Sequence, residues 1–149
     1  MKIQTKFHGE LDILELQKWG FPKGIPGFEN EKEFALLSIE DDNIFQVLQS
    51  TNTPDVAFIV ANPYSVITDY SINVDEPTID LLDIKTESDV FVLGVLSLKN
   101  PFETSTINLQ APLIFQTKTK KAKQMILNDN TFNMRHPIGN QVISAEGKA

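Results

Sequence analysis

Hydrophobic positions in this chain recur mostly with the period of a strand. Ile3, Thr5 and Phe7 alternate with Lys2, Gln4 and Lys6, the pattern of a half-buried strand. His8-Gly9-Glu10 reads as a tight turn, with Leu11, Ile13 and Leu16 on a returning strand. Phe34 to Ile39 and Ile44 to Gln49 flank Glu40-Asp41-Asp42-Asn43, whose short polar side chains favour a turn, so the pair is predicted as a hairpin. Thr53-Pro54-Asp55 breaks the chain before Val56 to Val60, an apolar run short enough for a buried strand, which Asn62-Pro63 ends. Tyr70 to Val74 alternates again. Val90 to Leu98 is the most hydrophobic segment and is predicted as the central strand, with Gly94 marking a bulge or a close backbone approach. Thr106 to Leu109 and Leu113 to Gln116 flank Ala111-Pro112, and Gln124 to Leu127 is the last predicted strand.

Helical spacing is confined to one place. Asp75-Glu76-Pro77 precedes Ile79, Leu81, Leu82 and Ile84, which puts acids at a helix start, proline in its first turn and apolar residues three to four apart. A short helix is predicted near residues 76–85. Glu29 to Glu33 is charged and leaves room for a single helical turn. From Asn128 onward the chain is polar and aperiodic, with Pro137 and Gly139. The expected architecture is mainly β: a compact antiparallel barrel or sandwich with one short helix. A single β domain over residues 1–130 and a loosely ordered tail over 131–149 complete it.

One stretch fits neither period. Phe21-Pro22-Lys23-Gly24-Ile25-Pro26-Gly27-Phe28 has two prolines that fix φ and donate no hydrogen bond, and two glycines that permit positive φ. Phe21, Ile25 and Phe28 nevertheless require burial. The segment is expected to be a rigid loop pressed onto a core.

Charge changes the picture more than composition does. The chain of 149 residues carries a net charge of −7, and residues 1–110 hold 7 Lys and Arg against 18 Asp and Glu. An acidic body opposes general nucleic-acid binding, since phosphate contacts need a positive field, and it suits a basic protein partner. Lys118, Lys120, Lys121 and Lys123 form the single basic run; on an extended chain Lys121 and Lys123 share a face with Phe115, so an RNA-binding β-barrel is the alternative reading. The opposing explanation is an edge strand kept soluble by lysines. No apolar run approaches a membrane span and the N-terminus is too polar for a signal peptide, so a cytoplasmic protein without membrane contact is expected.

Catalytic chemistry finds little to stand on. Without cysteine there are no disulfides, thiolate zinc sites or thiol nucleophiles. His8 and His136 have no histidine at ligand spacing, and Glu40-Asp41-Asp42 lacks the glycine and spacing of a calcium loop. Ser97 lies in the most apolar strand, outside any nucleophile motif. Gly24-Ile25-Pro26-Gly27 is no phosphate cradle, because Pro26 removes an amide that such a loop would supply. A non-enzymatic protein without metal or cofactor is expected.

The segment Phe21 to Glu29 resembles the signature loop of the FliW family of bacterial flagellar assembly factors. Phe45-Gln46-Val47-Leu48-Gln49-Ser50, Pro54-Asp55-Val56-Ala57-Phe58, Asn108-Leu109-Gln110-Ala111-Pro112-Leu113 and Lys123-Gln124-Met125-Ile126-Leu127 match in the same order, over roughly residues 1–136. The resemblance implies a monomeric regulator with a β-barrel-like fold and two protein partners. One is cytoplasmic flagellin; the other is the dimeric carbon storage regulator CsrA, an RNA-binding repressor of flagellin translation. By the resemblance, export of flagellin frees the regulator to bind CsrA away from its RNA surface and antagonise it. Within the matched motifs Phe21, Gly24, Ile25, Pro26, Gly27, Phe28 and Pro112 have sufficient structural reasons. Partner contacts are expected from polar groups beside them: Glu29, Asp41, Asp42, Gln46, Gln49, Asn108 and Gln110.

Overall fold

The computed structural model of the chain describes residues 1–39, 42–127 and 131–138, with backbone alone for Asp42 and Asn43. Its strands are β1 (Lys2–Thr5), β2 (Gly9–Asp12), β3 (Lys18–Gly20), β4 (Glu33–Ile39), β5 (Asp42–Ser50) and β6 (Ala57–Ala61). A helix, α1 (Glu76–Leu82), separates these from β7 (Val90–Ser97), β8 (Thr106–Ile107), β9 (Leu113–Gln116), β10 (Lys121–Gln124) and β11 (His136–Pro137). Strands β3 to β7 and then β9 and β10 close into a seven-stranded barrel. The ring is antiparallel except at one seam, where β10 meets β3 in parallel through the pair Lys121↔Gly20. One edge of β7 carries β6, and the other carries β9 along its first half and β8 along its second.

Alternation along the strands decides what fills the ring. Trp19, Phe21, Phe34, Leu48, Val60, Leu93 and Phe115 point inward and form one buried cluster. Phe91 stacks on Phe115 with ring centroids 4.8 Å apart, and Trp19 meets Phe115 edge-on at 5.0 Å. Each such pair contributes about 0.5–1.5 kcal/mol beyond the area it buries. The outward residues of β4 and β5, Ala35, Leu37 and Val47, are covered by Ile3 and Ile13 from the β1–β2 hairpin. On the opposite wall α1 places Leu82 over Ile114 and Met125.

The helix forms where its signals lie. Asp75 caps it by accepting from the Thr78 N–H at 2.9 Å, and it ends where Asp83 turns left-handed at φ 55°. The close approach expected at Gly94 is present too: a Cβ there would stand 2.8 Å from Cγ1 and Cδ1 of Ile107 on β8.

Several expectations are corrected. The first hairpin turns at Lys6-Phe7-His8, because Gly9 at φ 66° already pairs with Thr5; Phe7 is left at the exposed tip. Leu16 belongs to a 3-10 turn (Glu15–Gln17), and Lys18–Gly20, which the pattern did not mark, is a strand because Trp19 enters the barrel. Glu29 to Glu33 contains a hydrogen-bonded turn, Glu31 N–H to Phe28 O at 3.0 Å, and no helix. Tyr70 to Val74 alternates without joining a ladder: Ile72 packs on two clusters at once, so the segment is a strap laid over the barrel wall. The last barrel strand is Lys121–Gln124 rather than Gln124 to Leu127. Past it Met125 and Leu127 donate to Pro112 O and Gln110 O without forming a regular strand. Residues 131–138, assigned by sequence to the tail, are docked. β11 pairs with β8, Leu109 donates to Asn133 O at 3.0 Å, and Ile138 is buried. Residues 139–149, the rest of the expected tail, lie outside the described residues.

Candidate functional site

The loop Phe21 to Glu29 is built from both its buried and its exposed sides. Phe21 is fully buried against Phe34, with ring centroids 5.1 Å apart, and Ile25 is buried beside it. Gly24 (φ 66°) donates to Phe21 O at 2.8 Å, and its Cα lies so close to Glu29 that a Cβ would meet that residue's backbone at 2.7 Å. Gly27 (φ 89°) has open space around it, so there glycine serves the backbone angle alone. Pro26 is exposed, and Phe28 stays 39% exposed although its ring rests edge-on against Phe58 at 5.3 Å. Glu29 Oε2 accepts the Gly27 N–H at 2.8 Å, and backbone N–H donation holds its carboxyl below the usual glutamate range. Glu31 ties the loop to the end of β5, accepting from the Ser50 hydroxyl and, at 2.8 Å, from Thr53 Oγ1. The result is a fixed crest with one half-exposed aromatic ring beside a carboxylate.

The other expected contact residues lie elsewhere. Gln49 is fully buried: its Oε1 accepts the Lys6 N–H, while its Nε2 donates to Ser50 O and Pro54 O. It rivets the first hairpin to the barrel and has no surface for a partner. Asn108 Oδ1 accepts the N–H groups of Gln110 and Ala111, both at 3.0 Å, so its side chain shapes the turn leading into buried Pro112. Gln110 is half-buried in that turn, whose Leu109 O receives the Tyr70 hydroxyl at 2.7 Å. Burial of Tyr70 pushes its phenol well above its ordinary range, so the hydroxyl stays a donor.

Gln46 is half-buried in the middle of β5. It lines an opening of about 370 Å³ with Ile44, Asn62, Tyr64 and residues Val90 to Leu93. Tyr64 stands at its rim, edge-on to Tyr70 at 5.9 Å, which connects the opening to the Asn108 turn. Asp41 lies outside the described residues, and Asp42 is described by its backbone at the start of β5. Sequence reasoning did not find Tyr64; its only sequence signal is an aromatic residue just after Asn62-Pro63.

The basic run does not make a basic surface. Phe115 pairs with Ala122 and points into the core, so Lys121 and Lys123 lie on the opposite face, which corrects the shared face expected from the sequence. Lys118 reaches Asp89 at 3.5 Å, and Lys123 is within electrostatic reach of Asp75. Lys120 lies 3.7 Å above the Trp19 ring and donates to Leu16 O at 2.6 Å. The acids around α1 and the Trp19 wall thus occupy three of the four lysines. Among the described residues no group of three or more His, Asp or Glu could hold a metal ion, and no helix is long and apolar enough to cross a membrane.

Comparison with known proteins agrees along the whole barrel. The family model described as FliW protein matches residues 2–138. A flagellar assembly factor FliW from Bacillus licheniformis is 43% identical over 141 residues, covering 95% of this chain and 99% of the relative. Its counterpart in Bacillus subtilis is equally similar, and that of Clostridium novyi is 42% identical over 138 residues, with 93% of this chain and 96% of the relative covered. A crystal structure of the flagellar assembly factor FliW superposes with a TM-score of 0.88 at 38% identity, over 93% of this chain and 97% of that one. With the barrel, its signature loop and near full-length identity in accord, this chain belongs to the FliW family of flagellar assembly factors.

Proposed function

We propose that this flagellar assembly factor acts in the cytoplasm as a monomeric partner switch. It binds flagellin before export and, once flagellin leaves, binds the dimeric repressor CsrA and relieves repression of flagellin translation without covering the RNA site. The observation that supports this reading most is the identity of 43% across 95% of the chain to a flagellar assembly factor. The site chemistry is compatible with it. A rigid crest with Phe28 half exposed has the form of a protein-binding anchor, since hot spots favour large side chains held in one conformation. The acidic body, at −7 overall, attracts a basic partner such as an RNA-binding protein and raises its encounter rate. RNA binding by this chain itself has no comparable support, because Phe115 is in the core and three lysines are engaged.

Of the expected contacts, Glu29, Asn108 and Gln110 remain proposals beside Gln46, together with the acids Asp41 and Asp42. Antagonism at a distance of one Debye length, about 8 Å at physiological salt, requires such acids to lie close to the RNA groove. The test is competition in solution. CsrA bound to a labelled RNA is titrated with the purified chain, alone and preloaded with flagellin. The expected result is RNA release by the free chain and none by the flagellin-loaded chain. Release by both preparations alike, or retention of RNA by this chain on its own, would overturn the reading.

A further inference from the structure

We propose that the free edge of β1 is a docking site for an extended segment of a partner protein in which acidic and apolar residues alternate. The proposal rests on the reading that this chain works by binding proteins, and on no particular partner.

β1 and β2 form a two-stranded sheet apart from the barrel, so each has one side without a neighbouring strand. The ladder between them fixes which groups of β1 point outward. Ile13 donates to Met1 O at 2.7 Å, and the register continues through Ile3↔Leu11 and Thr5↔Gly9. Bonding pairs in an antiparallel ladder recur at every second residue, so the N–H and C=O of Lys2 and Gln4 face away from β2. The next group in the series has the same parity: the Lys6 N–H leaves the hairpin and donates to Gln49 Oε1 at 2.9 Å. Among the described residues no hydrogen bond occupies the outward main-chain groups of Lys2 and Gln4.

Beside this edge the barrel wall is only half covered. Ile3 and Ile13 cover Ala35, Leu37 and Val47. Gln49, which receives the Lys6 N–H, pairs with Ala57, and Val47 pairs with Ile59. Ala57 and Ile59 therefore continue the same outer face one strand further on, where they pack at the margin of the hairpin cluster and stay half-buried. Neighbouring strands lie about 4.8 Å apart, so a strand added to β1 extends the hairpin sheet toward β6. Its inward side chains would find apolar contact on Ala57 and Ile59.

Charge selects what can lie there. The outward side chains along the edge are Lys2, Gln4 and, past the strand end, Lys6, all exposed. Neither lysine makes an ion pair among the described residues: Asp12, opposite Lys2, binds the Met1 amine at 3.0 Å, and the Lys6 ammonium stands 5.6 Å from the Phe7 ring centroid. A second copy of β1 laid antiparallel about Gln4 would oppose Lys2 to Lys6, and like charges directly opposite are unfavourable. β2 shows what β1 accepts on its other side. Glu10 and Asp12 stand outward opposite Gln4 and Lys2, Gln4 Nε2 donates to Glu10 at 3.0 Å, and Leu11 and Ile13 turn to the core between them. The occupant of the free side repeats that pattern, with acids beside Lys2 and Lys6 and apolar side chains on Ala57 and Ile59. Main-chain bonds supply affinity and the alternation supplies selectivity.

The experiment follows amide exchange by NMR in the full chain with the peptide acetyl-Thr-Glu-Val-Asp-Val-Glu-amide. One control peptide has lysine in place of each acid, and another is methylated on alternate backbone nitrogens. The acidic peptide is expected to slow exchange at Lys2 and Gln4 by about tenfold or more, with little change at Ile3 and Thr5, which β2 already protects. Neither control should protect. Gln4→Pro removes an N–H that the hairpin does not use, so it should abolish protection at Lys2 at unchanged melting temperature. If that variant fails to fold, Lys2→Glu combined with Lys6→Glu should weaken binding of the acidic peptide at least tenfold. Equal protection by either control overturns the proposal, as does protection away from Lys2 and Gln4, or none at all. Protection that grows with the concentration of the chain alone makes the occupant a second copy and overturns it too. Purified flagellin and CsrA separate this proposal from the partner switch. If the peptide fails while wild type binds both proteins, the edge is wrong and the partner switch stands. If the peptide protects Lys2 and Gln4 while wild type binds neither protein, the partner switch is wrong and the edge stands.

Discussion

In the loop from Phe21 to Glu29, backbone turns at Gly24 and Phe28, a bond from Phe21 N–H to Lys32 O and the Glu31 carboxylate all hold one short segment in place. Where β6 meets β7, two register pairs, Val60↔Val95 and Ala61↔Gly94, join the two strands. The loop carries the pattern by which the family is recognised, yet most of its distinctive residues serve its own conformation. The β6–β7 seam carries no recognisable motif, yet it borders the opening lined by Gln46, Asn62 and Tyr64. A motif that must be kept for folding and a surface that can be offered to a partner are different things, and here the first meets the end of β5 at Ser50 and the second its middle at Gln46.

Substitutions can break or sharpen this contrast. Phe21→Ala removes a fully buried ring from between Phe34 and Phe115 and should cost about 3–5 kcal/mol, measured by denaturant unfolding. A loss under about 1 kcal/mol would mean that the loop is not part of the core. Within the loop, Gly24→Ala meets Glu29 backbone at 2.7 Å and a strained angle together, and should cost about 3–4 kcal/mol. Gly27→Ala faces open space and should cost only the left-handed angle, about 1–2 kcal/mol. Equal losses at the two glycines would contradict the close approach of Gly24 to Glu29.

The smallest effect concerns the Tyr70 prop beside Tyr64, at the rim of the opening that Gln46 also lines. Tyr70→Phe deletes a hydroxyl bonded to Leu109 O and should cost about 1 kcal/mol at neutral pH. Burial, reinforced by Tyr64, raises the Tyr70 phenol above its ordinary value of 10.0 in the folded state. The associated stability is fully present below pH 10 and is lost as pH rises toward the folded value, since the unfolded chain then gains by ionising. The gap between wild type and Tyr70→Phe should therefore narrow above pH 10. A constant gap would show that Tyr70 ionises as freely folded as unfolded.

Local signals were legible wherever one residue type has one physical use. The cap at Asp75 with Pro77 gave the helix, and Gly94 announced the crossing with Ile107. The apolar runs Phe34 to Ile39 and Ile44 to Gln49 gave the β4–β5 pair, although Asp42 and Asn43, read as turn residues, already belong to β5. Legibility ended where partners distant in sequence decide the outcome. Tyr70 to Val74 has a strand's period, but its neighbours are the outer faces of β7 and α1, and no free edge meets it. Gln49 looked like an exposed amide because nothing local shows that Lys6, 43 residues away, takes its carbonyl. The lysine run looked like a basic surface until the barrel brought Asp89 and Trp19 against it. The early end of β6 is hidden for the same reason: Pro63 is visible as a strand end, but that Val92 would have been its partner follows only from the register.

Trp19 is the single tryptophan of the chain, and it lies at the seam where β3 and β10 close the ring through one pair, beneath the Lys120 ammonium and against the edges of Phe91 and Phe115. Its emission is consequently a built-in optical gauge of that closure. While the ring is shut, the indole is shielded from water and emits at short wavelength. Parting of β3 from β10 lets water reach the indole and moves the emission to the red. A red shift that precedes the loss of β-sheet dichroism on heating would mark the parallel seam as the place where the barrel first opens.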